Sequence, residues 1–424
     1  MTISEAELRA CLEVLERSRE LDPNDPRFLE LERAAAHLRK QAKKKRKLQR
    51  RREAAAHDRA LRDQVSAGEG AELRASGAQT RRERACYVCK QPYRQLHDHY
   101  RLLCPTCGDA SQAMRELPVS LAGRRALVTG GRVKIGYAVA LRCLRAGAEV
   151  VVTTRFAADA AARFAAEPDV ADWRERLEIH GLDFRRLDDV MRAIAAWRAG
   201  PPLDLLINNA AQTVWHAPEH YAALHAGERE ASALPVSRWD EGMGGPAERY
   251  AALLAGVDMA IDLRREHSWI MRLAEVPPVE LVEAQVVNSI VPALLCSQLE
   301  PAMLRSRFPD RYIVNVSAIE GQFQRTEKLT RHPHTNMAKA ALNMLTRTSA
   351  EDYAERGIYM VAVDPGWVSH EGPPSLRAKA EAQGFRPPLD CEDAAARVLD
   401  PVARGLAGRP VYGVLLKDFA EVPW

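Results

Sequence analysis

The chain has 424 residues, 46% of them hydrophobic and 28% charged, with a net charge of +4. That length predicts two or three folded units, and the balance of apolar and charged residues excludes a disordered chain. No run of about 18 residues is free of charged or amide groups, which argues against a membrane span, and so small a net charge confines basic character to local runs.

The first elements read as helix. Ser4-Glu5-Ala6-Glu7 has the pattern of a capping box, and Leu8, Cys11, Leu12 and Leu15 follow at helical spacing. Asp25-Pro26 marks a second helix start with Phe28, Leu31, Ala35 and Leu38 on one face, so a helical hairpin is expected. Met1–Glu20 is acidic and lacks the basic start and apolar middle of a secretory signal, which predicts a cytoplasmic protein. From Lys43 to about Arg84 large apolar residues are few, and Gly68, Gly70 and Gly77 interrupt the segment. An exposed helix passing into a flexible linker is the expectation. Lys43 to Arg52 reads KKKRKLQRRR. Such a run can displace counterions from phosphates, but no aromatic residue interleaves it and no base-reading motif accompanies it. A solvated helix face is the simpler reading, which leaves nucleic acid as a disfavoured partner.

Of eight cysteines, four fall into two Cys-x-x-Cys pairs, Cys86/Cys89 and Cys104/Cys107, separated by fourteen residues. Four thiolates so spaced can surround a tetrahedral ion, and Zn²⁺ suits them because it is redox-inert and prefers sulfur. Pro105 inside the second pair and Gly108 after it look like a zinc-ribbon knuckle. Iron in a rubredoxin-like site is the alternative. Four protein ligands leave no open position, so the role expected is structural. His97 and His99 lie between the pairs and could replace one Cys as ligand, although surface histidines are the simpler reading.

After Leu117-Pro118 apolar strands alternate with Ala/Leu/Arg-rich helices, the mark of a doubly wound α/β sheet. Strands are predicted at 125–129, 149–153, 177–180, 203–207, 312–316, 359–363 and near 411–415. The organisation expected is a basic helical segment with linker (1–84), a four-cysteine unit (85–117) and an α/β domain of the Rossmann type (118–424). Gly130-Gly131-Arg132-Val133-Lys134-Ile135-Gly136 follows the first strand of that domain and opens a helix, as a phosphate cradle requires.

Thr129-Gly130 through Gly136 resembles the Thr-Gly-x-x-x-Gly-x-Gly turn of the short-chain dehydrogenase/reductase family, with Lys134 where the middle glycine usually sits. Later motifs appear in that family's order over roughly Leu121–Val414. The second strand ends in Thr154-Arg155, where NAD-preferring members carry an acid. The resemblance therefore implies NADP(H) rather than NAD(H), with Thr154 and Arg155 taking the 2′-phosphate and Arg132 and Lys134 adding charge. It further places Asp183 near the adenine amine, Asn209 and Ala210 along the cofactor pocket after Asn208, and Pro365, Gly366 and Val368 near the nicotinamide.

The family's reaction uses a Tyr acid, a Lys four residues later, a Ser and an Asn. Lys339, in Asn336-Met337-Ala338-Lys339, matches the Lys, and Asn288 matches the Asn. Where the Tyr is expected stands Thr335, whose hydroxyl is a poor acid. The family's catalytic serine aligns best with Ala318, leaving Ser317 as the neighbouring hydroxyl, and His334 is the candidate substitute acid, although a histidine in a polar loop is more often a surface residue. The stretch 212–282 is an insertion relative to the family, and His267, Trp269 and Arg272 within it are candidates to close over the nicotinamide. The resemblance implies an NADP(H)-dependent oxidoreductase acting on a carbonyl, an alcohol or an activated double bond of a small molecule. The alternative is a catalytically silent dinucleotide-binding sensor or scaffold. Self-association into a homo-oligomer is compatible with both.

Overall fold

The computed structural model describes residues 3–212, 221–228, 232–239, 270–324, 328, 330–369, 374–382 and 384–424. His267, Trp269 and most of the expected insertion lie outside the described residues. The chain divides into two units, Met1–Pro105 and Thr106–Trp424.

In the first unit, α1 (Glu5–Arg17) starts at the expected capping box, in which Glu7 N donates to Ser4 Oγ and Ser4 N donates to the Glu7 carboxylate. It buries none of its residues, and Leu8 and Leu12 are about half exposed. The expected helical hairpin is therefore not formed, because too few large apolar residues face one another to seal it. Helix α2 runs unbroken from Pro26 to Ser66, with Asp25 capping its first turn. Its C-terminal part is fastened: Asp58 is buried and accepts the backbone N–H groups of Arg81 (2.6 Å) and Arg82 (3.2 Å), and Arg101 pairs with Asp63 at 2.7 Å. The segment read as linker is also ordered. It forms α3 (Gly70–Ala75) and then β1 (Gln79–Ala85), antiparallel to β2 (Pro92–Gln95). Its polar composition hid a strand whose neighbours are a helix and a hairpin partner rather than a core.

The second unit opens with α4 (Pro105–Glu116) and builds a nine-stranded sheet. In chain order its elements are β3 (Arg125–Thr129), α5 (Lys134–Arg145), β4 (Glu149–Thr154), α6 (Ala157–Ala165), β5 (Leu177–Gly181), α7 (Leu187–Ala199), β6 (Leu205–Asn208), α8 (Ala222–Gly227) and β7 (Val236–Arg238). Then come α9 (Pro278–Gln285), α10 (Val291–Leu304), β8 (Arg311–Val316), α11 (Pro333–Glu355), β9 (Ile358–Asp364), α12 (Pro374–Ala382), α13 (Cys391–Leu406), β10 (Leu415–Lys417) and β11 (Ala420–Val422). The spatial order is β11-β10-β9-β8-β6-β3-β4-β5-β7, with every neighbouring pair parallel except β10/β11.

Alternation along the strands explains the two layers. Ala126, Val128, Val150, Val152, Leu205 and Ile207 point to a core shared with α5, α6 and α13, while Leu127, Val151 and Leu206 point to one shared with α7, α10 and α11. Six of the seven expected strands stand within two residues of their expected bounds. The last lies at 415–417 rather than near 411–415, and β7 and β11 were not anticipated. The segment Pro278–Leu304 is long and apolar enough to cross a membrane by composition alone, but 67% of its most apolar 18-residue window is buried inside this domain, as in a core helix.

Candidate functional site

The chain builds β3, β4 and β5 outward on one side and then returns to place β6 beside β3, so the crevice between the ends of β3 and β6 is the switch point where α/β sheets bind ligands. The turn after β3 is shaped for close approach. Gly130 has φ +69°, and a Cβ there would lie 2.9 Å from Ala210 Cα; a Cβ on Gly136 would lie 2.3 Å from Gly130 O. Thr129 Oγ1 accepts the N–H groups of Asn209 (3.0 Å) and Ala210 (2.9 Å), and Asn209 Nδ2 donates back to Thr129 O (3.0 Å) and Gly130 O (3.3 Å). Asn208 ties β6 to β8 through Asn315 Oδ1 at 2.8 Å. Lys134, the exposed first residue of α5, adopts φ +54°. A lysine thus holds the left-handed backbone that favours glycine, at the position where the family has glycine. Ile135 is half-buried beside it.

The end of β4 forms the second wall. Thr154 is buried, and its Oγ1 accepts Phe156 N at 3.1 Å. Two guanidinium groups approach the buried Phe156 ring, Arg132 at 5.3 Å and Arg155 at 5.4 Å, and Arg155 also lies 4.7 Å from the Tyr221 ring. Arg132 is committed to Asp159 at 2.7 Å. Arg155 makes no ion pair among the described residues, so its charge remains for a ligand. Glu228, a residue the sequence gave no reason to single out, brings its carboxylate onto the N-terminus of α6, accepting Ala158 N at 2.9 Å and Asp159 N at 3.4 Å. Asp183 accepts Arg185 Nε at 3.0 Å. Burial opposes its ionisation, but the hydrogen bonds and charge of Arg185, with Arg155 beyond, outweigh it and lower its carboxyl.

The expected reaction residues converge on α11 and its surroundings. Lys339 is buried, and its Nζ donates to Val316 O at 2.8 Å. Burial pulls its ammonium down to about 8, against the opposing pull of Glu320 and Asp364. A Cβ on Gly321 would lie 2.8 Å from the Lys339 carbonyl carbon, so only glycine lets this turn sit against α11. Thr335, one helical turn before Lys339, is buried and its hydroxyl has no hydrogen-bond partner among the described residues. Ser317 donates to Asn343 Oδ1, and Ala318 precedes the turn at Ile319–Gly321. Asn288 sits in a π-helical turn, Val286–Ile290, and clamps the Gln212 main chain, accepting its N–H at 2.6 Å and donating to its carbonyl at 2.9 Å.

His334 is neither a loop residue nor at the surface. It lies in the first turn of α11, 1% exposed, with Nε2 3.6 Å from Glu280 Oε1. Burial and the neighbouring His332 push its imidazole down to about 4. Glu280 and Glu283 are buried acids that the sequence did not flag, and Glu283 accepts Gln212 Nε2 at 2.8 Å. Pro365 and Gly366 follow β9, with Gly366 at φ +85° and its N–H donating to Asp364 Oδ1 at 2.8 Å; Val368 is half-buried just beyond. Arg272 is exposed, and its backbone N–H donates to Glu275 at 2.7 Å, which leaves its side chain at the surface.

The four sulfurs of Cys86, Cys89, Cys104 and Cys107 lie within 4.8 Å of one another. The division between the units falls inside the second pair, so the cluster is a local feature of residues 86–107. A tetrahedral ion with metal–sulfur bonds of about 2.3 Å sets sulfurs roughly 3.8 Å apart, and Cys89 Sγ is 3.8 Å from Cys104 Sγ. Cys104 N donates to Cys86 Sγ at 3.3 Å, a backbone N–H of the second pair aimed at a sulfur of the first. The donor set therefore fits a thiophilic tetrahedral ion. His97 is not a surface residue. It is fully buried, and its Nδ1 accepts the N–H groups of His99 (2.9 Å) and Tyr100 (3.3 Å), while His99 is exposed; neither belongs to the cluster.

Residues 124–231 match the family described as short chain dehydrogenase, and residues 264–386 match the one described as Enoyl-(Acyl carrier protein) reductase. An uncharacterized protein of Acanthamoeba polyphaga mimivirus is 34% identical over 345 residues, covering 75% of this chain and 71% of its own. Among solved structures, the RhlG/NADP active-site complex of Pseudomonas aeruginosa is 22% identical with a TM-score of 0.47, covering 71% of this chain and 96% of that one. A short chain dehydrogenase of Burkholderia cenocepacia in complex with NADP is 23% identical with a TM-score of 0.48, covering 70% and 96%.

Proposed function

Because this chain belongs to the short-chain dehydrogenase/reductase family, we propose that it binds NADP(H) at the β3/β6 crevice and reduces or oxidises a small carbonyl, alcohol or activated double bond. Lys339 carries the reading. Among the described residues its buried ammonium makes one hydrogen bond, to Val316 O, and keeps two donors unspent. Unspent donors on a buried ammonium are costly unless a polar ligand takes them, and the ribose hydroxyls of a dinucleotide are such a ligand. Gly130, Gly136, Ile135 and the N-terminus of α5 would cradle the pyrophosphate, with Lys134 adding charge, and Arg155 would meet the 2′-phosphate. Asn209 and Ala210 would line the pocket, with Pro365, Gly366 and Val368 along the nicotinamide. The nicotinamide, when bound, is the two-electron donor or acceptor. The chain's part is to orient it, to exclude water and to supply a proton.

Thr335 is a poor acid, and burial, with His332 beside it, holds the His334 imidazole down to about 4, so it is largely unprotonated at neutral pH. That low protonation favours a second reading, a silent NADP(H) sensor or scaffold. We further propose that the cysteine cluster holds one structural Zn²⁺ per chain and that the protein works in the reducing cytoplasm.

Calorimetric titration tests the cofactor assignment. NADPH should bind more tightly than NADH, and Arg155→Ala should weaken NADPH selectively; equal affinities in the unaltered protein would overturn it. NADPH oxidation against a carbonyl panel then separates the two readings. Turnover that His334→Ala abolishes with binding retained identifies an enzyme with a substitute acid, whereas tight binding without turnover identifies a sensor.

A further inference from the structure

We infer that the middle of α2 is a docking surface for the phosphate backbone of a double-helical nucleic acid, independent of the dinucleotide site. From Arg39 to Arg52 the helix carries ten cations and no acid. Residues 43–53 are all exposed, which over three turns means that no face of the helix packs on the described residues. Among the described residues none of the ten cations has an ion-pair partner. Lys40 and Lys44, Lys43 and Lys47, and Arg46 and Arg50 instead stand at i,i+4 spacing, where like charges destabilise a helix. A merely solvated face would interleave acids to relieve that repulsion. The helix is nevertheless continuous, and its C-terminal part is fixed through Asp58 and Asp63, so the basic turns are held rigidly beyond that anchor.

The angular distribution identifies the partner. At about 100° per residue, eight of the ten cations fall within an arc of roughly 160°, and only Lys45 and Arg52 lie opposite. A helix seated in a duplex groove meets phosphates on both walls, which a broad arc serves and a narrow stripe does not. Fourteen residues span about 21 Å, against which duplex DNA presents roughly a dozen phosphates. Ala42 and Leu48 are the only apolar residues between Arg39 and Arg52, so the segment has no apolar face to insert into a bilayer or to fill a protein groove, and charge alone toward an anionic lipid surface is the competing outcome of the test.

The test is fluorescence anisotropy of the full chain with labelled 20-base-pair duplexes of DNA and of RNA from 50 to 200 mM salt, with phosphatidylserine vesicles in parallel. Six phosphate contacts would weaken duplex binding roughly 10³-fold over that range. Two double variants remove the same net charge from different faces. Lys43→Gln with Lys47→Gln, inside the arc, should weaken binding tenfold or more and flatten the salt slope by about 2, whereas Lys45→Gln with Arg52→Gln should change it less than threefold. Circular dichroism confirms that both stay helical, and the DNA and RNA arms identify which duplex the surface prefers. Equal effects from the two pairs, a salt slope shallower than about −2, or binding to vesicles but not to duplex would each overturn the inference.

Discussion

Lys134 offers the sharpest test of the dinucleotide site, because its backbone and its charge make separable predictions. With φ +54° it pays the left-handed penalty of an L-residue, about 1–2 kcal/mol. Glycine would avoid that penalty but adds about 0.5–1 kcal/mol of unfolded-chain entropy. Lys134→Gly should therefore leave stability unchanged or raise it by up to about 1.5 kcal/mol, and Lys134→Ala, which keeps the strain, should fall below Lys134→Gly. If lysine is kept for its charge, both variants should lose the contact to cofactor phosphate. Lys134 is exposed, so solvent screening limits that contact to about 1–1.4 kcal/mol, or roughly five- to tenfold in affinity. Denaturant titration of apo-protein measures the first effect and NADPH calorimetry the second. NADPH affinity unchanged in both variants would refute the phosphate assignment. Lys134→Ala as stable as Lys134→Gly would refute the strain.

Lys339 predicts a pH dependence with two opposite signs. Its folded value, about 8, lies below its ordinary 10.5, so between those values the unfolded chain binds more protons. Stability from this group should rise with pH across that window, while NADPH affinity, which needs the ammonium, should fall as pH passes about 8. Lys339→Met should bind NADPH at least tenfold more weakly and lose both trends; a pH-independent affinity in the unaltered protein would remove Lys339 from the site. For the cysteine cluster, elemental analysis of protein purified without added metal should find one zinc per chain, and Cys104→Ser should lose it and lower the melting temperature of the first unit. Metal content unchanged in Cys104→Ser would disprove the assignment.

How much was legible in the sequence follows from what each signal depends on. Apolar runs such as Arg125–Thr129 and Tyr312–Val316 are buried on both faces, so composition alone marked them. The glycine turn and the four cysteines were legible because their chemistry tolerates few substitutions. The missed elements depend on partners distant in sequence. Nothing local in Val236–Arg238 signals a strand, because its hydrogen bonds go to β5 about 57 residues earlier. The burial of His97 and of His334, the candidate substitute acid, was not legible because polarity in sequence does not report burial, and His97 accepts two backbone N–H groups. The helical hairpin failed for the opposite reason: periodicity promised a packed face that α1 does not bury.

Among the described residues the outermost strands of the sheet, β7 and β11, are three residues each, about 10 Å long, and β11 folds back antiparallel on β10. Long flat edges recruit strands from other chains, and stubs of this length recruit them poorly. Two copies that meet through this domain should therefore join helix to helix and leave each sheet discontinuous with the next. The unfolding hazard then moves inward: once either stub peels away, β5 or β10 becomes the exposed edge, and of the two only β5 is long enough, at five residues, to template aggregation.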